Sequence, residues 1–509
     1  MSATTTAGGT TGTTEYPNPL IPGFNPDPSA VKVGDDYYLV TSTFEYLPGI
    51  PVYHSTDLVD WTQIGNVATR PEQLDLATIP TLGGVWAPTI RFRDGVFYVI
   101  VTVAMGGGCV VFTATDPAGP WSDPTLLSGI AGIDPDLAWG DDGTAYVTFS
   151  GLTTTGPDAG AHHGVQQVKV DLETGEVLEE PRSLWSGTGL KFPEAPHIYH
   201  RGPWWYLMIA EGGTERGHGV SMARGLSPEG PFTGFDGNPF LSARSTSRPI
   251  QNTGHADLIE TPDGGSALIL LGMRPRGMTQ AFSALGRETF ITTLAWKNDW
   301  PVAEPVILRP RAGETRYSID FAGVDALDAG WLAIRRVPAE VAAIDGGKLV
   351  LHGEGATLDD TRPVFLGRRQ LNQTARVSTV IDASSGTGGL VVRYDEDYHT
   401  EIEVSGTRVT GRVHLAGVAQ EWTLEVPAGP LELRMSSVPI AAGFGPSQLS
   451  SDRIILSIVT GGEETVIAET DGRYLSAETA ASFTGRVIGV YAVDGTVRFD
   501  RFDYVGSED

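Results

Sequence analysis

Five residues of this 509-residue chain, Asp27, Trp86, Asp134, Glu194 and His255, each stand beside a Pro or Ala, and each lies eight positions ahead of a turn residue, at 35, 94, 142, 202 and 263. Three of the five are carboxylic acids. Like charges gathered at one place repel and raise each other's pKa values, so such a cluster is costly and points to chemistry. Two carboxyl groups facing each other across a sugar-sized cleft are the minimal machinery for cleaving a glycosidic bond. One protonates the leaving oxygen, and the other activates water or attacks the anomeric carbon. A third acid can orient and tune the proton donor. Glu194 is the only Glu of the five. Asp136, on the same face as Asp134 of a regular strand, competes for the third role, but the eight-residue offset selects Asp134.

The elements that must position these residues are strands. Each marked position is followed by a turn and then by a run rich in aromatic and β-branched residues, as in Trp204-Trp205-Tyr206-Leu207-Met208-Ile209. The intervals between the five positions are 59, 48, 60 and 61 residues. One four-stranded sheet with its loops fits each interval, so the reading is an all-β chain that begins with a five-bladed β-propeller. The five positions are then equivalent and converge on one axis. Within three of the repeats a strand and polar turn lead to an aromatic residue, Trp61, Trp121 or Phe232, placed to close a blade's outer edge.

After Trp300-Pro301 the repeat stops, and short strands appear at steady intervals, including 389–394, 453–459, 486–492 and the strictly alternating 497–504. This predicts a β-sandwich over 317–509 behind a propeller over 17–310, with 1–16 a disordered Thr/Gly-rich head.

Composition narrows the partners. A formal charge of -27 disfavours nucleic acid and anionic lipid as ligands, whereas neutral sugars remain open. The 64 Gly and 34 Pro suit an all-β chain with many turns. Cys109 is the sole cysteine; it forms no intramolecular disulfide and reads as a small buried hydrophobe. The adjacent His162 and His163 point to opposite faces of a strand, which argues against a shared metal. Gly106-Gly107-Gly108 and Gly212-Gly213 read as tight turns, since no P-loop lysine or helix accompanies them. No signal peptide and no stretch of ~18 apolar residues is seen. The expectation is therefore a cytoplasmic protein, or a secreted one if a leader has been removed.

The segments Phe24-Asn25-Pro26-Asp27-Pro28-Ser29, Gly83-Gly84-Val85-Trp86-Ala87-Pro88, Gly132-Ile133-Asp134-Pro135, Pro193-Glu194-Ala195-Pro196-His197-Ile198, Gly254-His255-Ala256 and Met273-Arg274-Pro275 occur in this order. Together they resemble the motif series of glycoside hydrolase family 43. The resemblance implies an inverting hydrolase with Asp27 as general base, Glu194 as general acid and Asp134 as the group that orients Glu194. It further implies that Phe44 and Trp86 line a sugar pocket, that Arg274 bonds substrate hydroxyls, and that His255 lies near the axis. A structural calcium beside His255 is part of that expectation, although calcium prefers oxygen ligands; no cofactor is expected for the chemistry and no metal ligand is assigned. The C-terminal sandwich resembles the concanavalin A-like domain that many members carry. The substrate expected is arabinoxylan or arabino-oligosaccharide, cleaved by an exo-acting α-L-arabinofuranosidase, with β-D-xylosidase or a bifunctional enzyme as the alternative. A non-catalytic sugar-binding propeller is the reading from another class. A retaining fructosidase-like enzyme would show Glu-Cys where Glu194-Ala195 stands.

Overall fold

The structure is a computed structural model that describes residues 15–153, 156–157, 159–440 and 445–508. Residues 1–14 of the Thr/Gly-rich head lie outside the described residues; Tyr16 is buried.

Five antiparallel sheets follow one another along the first 303 residues, four with four strands and the fourth with five. Their first strands are Ser29–Val33, Gly84–Arg93, Ile133–Trp139, Glu194–Arg201 and Gln251–Glu260. Each of these touches the first strand of the sheets before and after it, and the fifth touches the first, so the ring is closed. The second strands, such as Val96–Ala104 and Ser266–Met273, are apolar almost throughout because neighbouring blades cover both of their faces. The N-terminal segment fastens the ring: Asn18 and Arg309 exchange backbone hydrogen bonds, and Leu20 donates to Thr289 of the fifth blade.

A charged network ties the inner strands together. Arg91 of the second blade donates to Asp136 of the third at 2.6 Å and to Asp257 of the fifth at 2.9 Å. Asp257 also accepts from Ser29 of the first blade and from Tyr199 of the fourth, and Asp136 accepts from the Ile198 amide. The guanidinium holds both carboxyls below the ordinary range against the opposing effect of burial. A buried ion pair of this kind fixes geometry more than it adds stability, but removing one partner strands the other charge.

The inner strands are not regular. Asp27, Ala87, Asp134, Ala195 and His255 all adopt positive φ, between 42° and 54°. The ladders of blades two to five shift register there, between Trp86 and Thr89, Ile133 and Asp136, Glu194 and His197, and Gly254 and Ala256. A non-glycine residue at positive φ is strained, and a bulge re-aims the side chains around it. The eight-residue offset in the sequence therefore marks a ring of five strained positions, four of them at bulges.

The C-terminal unit is a network of twelve antiparallel strands. Its longest, Thr374–Arg393 and Val487–Ser507, pair along most of their length, with register shifts that let them bend. Its core includes Trp331, Phe499, Phe502, Leu433 and Leu456. The sandwich is welded to the propeller: Ala333–Ile334 pairs with Tyr46–Leu47, and Phe24, Phe44 and Tyr46 share one apolar cluster with Ile334, Phe365 and Tyr491. Among the described residues no helix is long and apolar enough to cross a membrane.

Candidate active site

Side chains at or beside these five positions line one pocket. Asp27, Phe44, Trp86, Asp134, Glu194 and His255 all line it, joined by Ile133, Thr214, Arg287 and Phe483. With its open mouth it encloses ≈ 380 Å³. Six of the seven residues expected at a site from the sequence thus meet in one cavity.

Asp27 is held from two sides. Ser42 donates its hydroxyl to Oδ2 at 2.7 Å and in turn accepts from the Ala87 amide at 2.7 Å, which fixes the hydroxyl's direction. Arg287 donates from Nη1 to Oδ1 at 2.9 Å. His255 Nδ1 lies 3.5 Å from the same oxygen. Burial drives the His255 pKa down to about 3 despite the Asp27 charge, so the imidazole is neutral.

The other two acids are coupled. Burial, followed by the charges of Asp134 and Asp27, lifts Glu194 well above the usual carboxylate range. Burial and the Asp27 charge push Asp134 up to about 7, partly opposed by the hydrogen bond its Oδ2 accepts from the Ala195 amide at 3.0 Å. That bond ties Asp134 to the residue next to Glu194. Burial and mutual repulsion thus favour a proton on Glu194, while Asp27 is ion-paired with Arg287. This separation of roles is what general acid–base hydrolysis requires. Asp136, the rival to Asp134, is fully buried in the Arg91 network and does not line the pocket.

Arg274 is displaced from the role expected of it. Its guanidinium pairs with Glu288 at 2.6 Å and with Glu508, and it does not line the pocket. The physical reason is alternation along the chain. Glu288 turns away from the pocket and takes Arg274 with it, while the preceding Arg287 turns inward. Arg287 touches Asp27, the Thr214 hydroxyl at 3.3 Å and the carbonyl of Phe483 at 3.2 Å, and lies over the rings of Phe44 and Phe483.

Phe483, the second residue that the sequence did not reveal, comes from the sandwich. Its ring lies 5.9 Å from Phe44 and meets Trp86 edge-on at 5.6 Å, so three aromatic rings form one wall. Glu478 fastens this wedge by accepting from the amide and hydroxyl of Ser283. Two glycines let it sit flush. A Cβ on Gly286 would lie 2.1 Å from the Thr484 carbonyl oxygen, and one on Gly485 would lie 2.2 Å from that of Leu285.

The surroundings of His255 do not form a calcium cradle. The carboxylate beside it is already bound by Arg287 and Ser42, Asp136 and Asp257 are both paired with Arg91, and among the described residues no three His, Asp or Glu ligand atoms there lie close enough together to share one ion. His162 and His163 bond separately to Ser150 and Thr153. Cys109 is buried, and its surroundings push the thiol pKa up, as an inert cysteine requires.

Comparison with known proteins agrees with this geometry. Residues 16–301 match the model of glycosyl hydrolases family 43, and residues 318–505 match the β-xylosidase C-terminal concanavalin A-like domain. A non-reducing end α-L-arabinofuranosidase of Bacteroides ovatus is 36% identical, the alignment covering 96% of this chain and 94% of that protein. A xylosidase/arabinosidase of Butyrivibrio fibrisolvens is 31% identical over 96% and 98% of the two chains. The crystal structure of a xylan β-1,4-xylosidase from Bacillus halodurans superposes with a TM-score of 0.86 at 27% identity, covering 96% of this chain and all of that one (100%). Family-model coverage, full-length relatives and a pocket of three acids lead to one conclusion: the chain belongs to glycosyl hydrolase family 43 and carries the concanavalin A-like C-terminal domain of its β-xylosidases.

Proposed function

We propose that this chain is an exo-acting, inverting glycosidase that removes single non-reducing-end α-L-arabinofuranosyl residues from arabinoxylan or arabino-oligosaccharides. The observation that carries the exo reading is the wall of Phe44, Trp86 and Phe483, with Phe483 brought from the sandwich to narrow the pocket around the three acids. A pocket walled on one side in this way suits a terminal sugar and not a chain running through. In the proposed step Glu194 gives its proton to the glycosidic oxygen as the C–O bond breaks. Water attacks the anomeric carbon from the opposite face and passes a proton to Asp27; before the next turnover Asp27 gives up that proton to solvent and Glu194 takes one back. Asp134 keeps Glu194 protonated and in place. Arg287 fixes Asp27 and presents its guanidinium to the sugar hydroxyls.

β-D-xyloside hydrolysis, alone or alongside, is the second reading. It is supported by the matched C-terminal domain and by relatives that carry both activities in their names. The two are separated by kcat/KM on aryl α-L-arabinofuranoside and aryl β-D-xyloside. The proposal expects the arabinoside to be preferred; the reverse order installs the second reading, and inactivity on both removes the proposed activity.

A further inference from the structure

Outside the catalytic pocket, three side chains of the sandwich aim ligand atoms at one point. His399 on the strand Tyr398–Ser405 is paired directly with His414 on Arg408–Leu415, and the two rings are perpendicular with centroids 5.1 Å apart. Asp359, from the segment preceding the strand Val364–Arg369, places Oδ1 2.9 Å from His399 Nε2 and 2.5 Å from His414 Nδ1. The two nitrogens are 3.3 Å apart.

The present hydrogen bonding leaves one side of His399 without a partner. His399 is completely buried, and its other nitrogen, Nδ1, faces Glu401 Oε2 at 3.3 Å. Glu401 is itself buried and paired with Arg412. A neutral imidazole carries a single N–H. On Nε2 that hydrogen donates to Asp359 at 2.9 Å, and then Nδ1 and Glu401 Oε2, both buried, have no hydrogen-bond partner. A metal ion on Nε2 moves the ring hydrogen to Nδ1, where it faces Glu401. A histidine with its far nitrogen against a carboxylate is the usual outer arrangement of a metal-bound imidazole.

The spacing favours the metal. Ligand atoms about 2.0–2.1 Å from a tetrahedral zinc ion stand about 3.3 Å from one another. The His399–His414 edge already has that length. The two edges to Asp359 need to open by less than about 1 Å, and this residue stands in an exposed turn. Two imidazoles with one carboxylate suit zinc and its neighbours rather than calcium or magnesium. His414 Nε2 presently accepts from the Gly417 amide at 3.2 Å. Coordination through Nδ1 moves the ring proton to Nε2, and the amide of Gly417, in an exposed turn, then turns to water.

We propose that His399 Nε2, His414 Nδ1 and an Asp359 carboxylate oxygen form a structural site for a divalent transition metal of the zinc type, with water as the fourth ligand. The ion pins the loop around Asp359 to the sandwich, one residue from Leu358, which packs in the same apolar cluster as the pocket residue Phe44.

The test uses full-length, tag-free protein stripped with a chelator and titrated with ZnCl2 at pH 7.5 by calorimetry, with Co2+ as a spectroscopic substitute. One equivalent of Zn2+ should bind and raise the Tm, and Co2+ should show the intense visible bands of a four-coordinate ion. Both Asp359→Asn and His414→Gln, at positions that are not fully buried, should lower the affinity at least about tenfold while circular dichroism shows a folded chain. Absence of saturable one-to-one binding overturns the proposal, as does binding unaltered in both variants. So does NMR evidence that His399 keeps both ring protons in the presence of excess Zn2+. None of these outcomes touches the glycosidase reading, which rests on a separate pocket.

Discussion

Arg287 Nε donates to the backbone carbonyl of Phe483 at 3.2 Å, while Nη1 of the same guanidinium donates to Asp27 Oδ1 at 2.9 Å. A residue of the sandwich and an acid of the propeller are thus held by one side chain. The seating of the C-terminal domain and the position of the proposed base are mechanically linked, and the pocket is complete only when both domains are docked.

Phe483→Ala removes one of three aromatic rings from the wall without touching an acid. The aromatic contacts are worth roughly 1–2 kcal/mol, so kcat/KM should fall about tenfold or somewhat more, mostly through KM. Circular dichroism should show a folded protein. A KM unaltered by the change would mean that the ring does not contact the sugar.

Arg287 and Arg274 should fail in different ways. Arg287→Ala leaves Asp27 without its ion-pair partner, and kcat/KM should drop by about 10²–10³, in line with roughly 3–5 kcal/mol for a broken buried pair. Arg274→Ala strands Glu288 away from the pocket, so it should lower Tm with kcat per folded molecule within about threefold of wild type. Steady-state kinetics combined with thermal melting separates the two.

The lifted carboxyl of Glu194 costs stability when it ionises. Its folded pKa lies above the unfolded value of 4.5, so the native state holds the proton more tightly. Stability therefore falls as pH rises from that value through the folded pKa. Glu194→Gln removes the penalty. Its Tm should match wild type near pH 4 and exceed it by a few degrees, on the order of 2–4 °C, at pH 8. A gap that is largest at low pH would reverse the assigned direction of the shift.

Asp134 and Asp136 are two residues apart and should behave differently. Asp134→Asn takes away a charge that lifts Glu194, so the alkaline limb of kcat/KM should move to lower pH, with kcat reduced about 10²-fold. Asp136→Asn leaves Arg91 short of a partner; stability should fall by roughly 3–5 kcal/mol while the alkaline limb stays in place. The pH–rate profile, measured beside a melt, decides which aspartate acts on the proton donor.

Much of this was legible in the chain because a repeat imposes itself on the sequence. The constant offset marks the five inner positions, and Asp134, which it selects over Asp136, lines the pocket. The offset did not show that the strained backbone sits on Asp27, Asp134 and His255 themselves but on Ala87 and Ala195 one position past Trp86 and Glu194. Side-chain type is printed in the sequence, whereas φ is not. Arg274 and Arg287 could not be told apart for a related reason. Both flank the same pair of strands, and which one faces the pocket depends on the alternation of Arg287 and Glu288. Phe483 had no local signal at all, because its role arises from the docking of a wedge that begins in another domain.

The central claim is that Glu194 donates the proton to the leaving group, and leaving-group dependence in Glu194→Ala tests it most directly. On a glycoside that the wild type cleaves, the variant should lose about 10³-fold or more in kcat/KM when the leaving group is an alkyl alcohol or a sugar. It should lose little when the leaving group is a dinitrophenolate, which departs without protonation. An equal loss on both substrates, or full activity on the alkyl glycoside, would contradict the assignment.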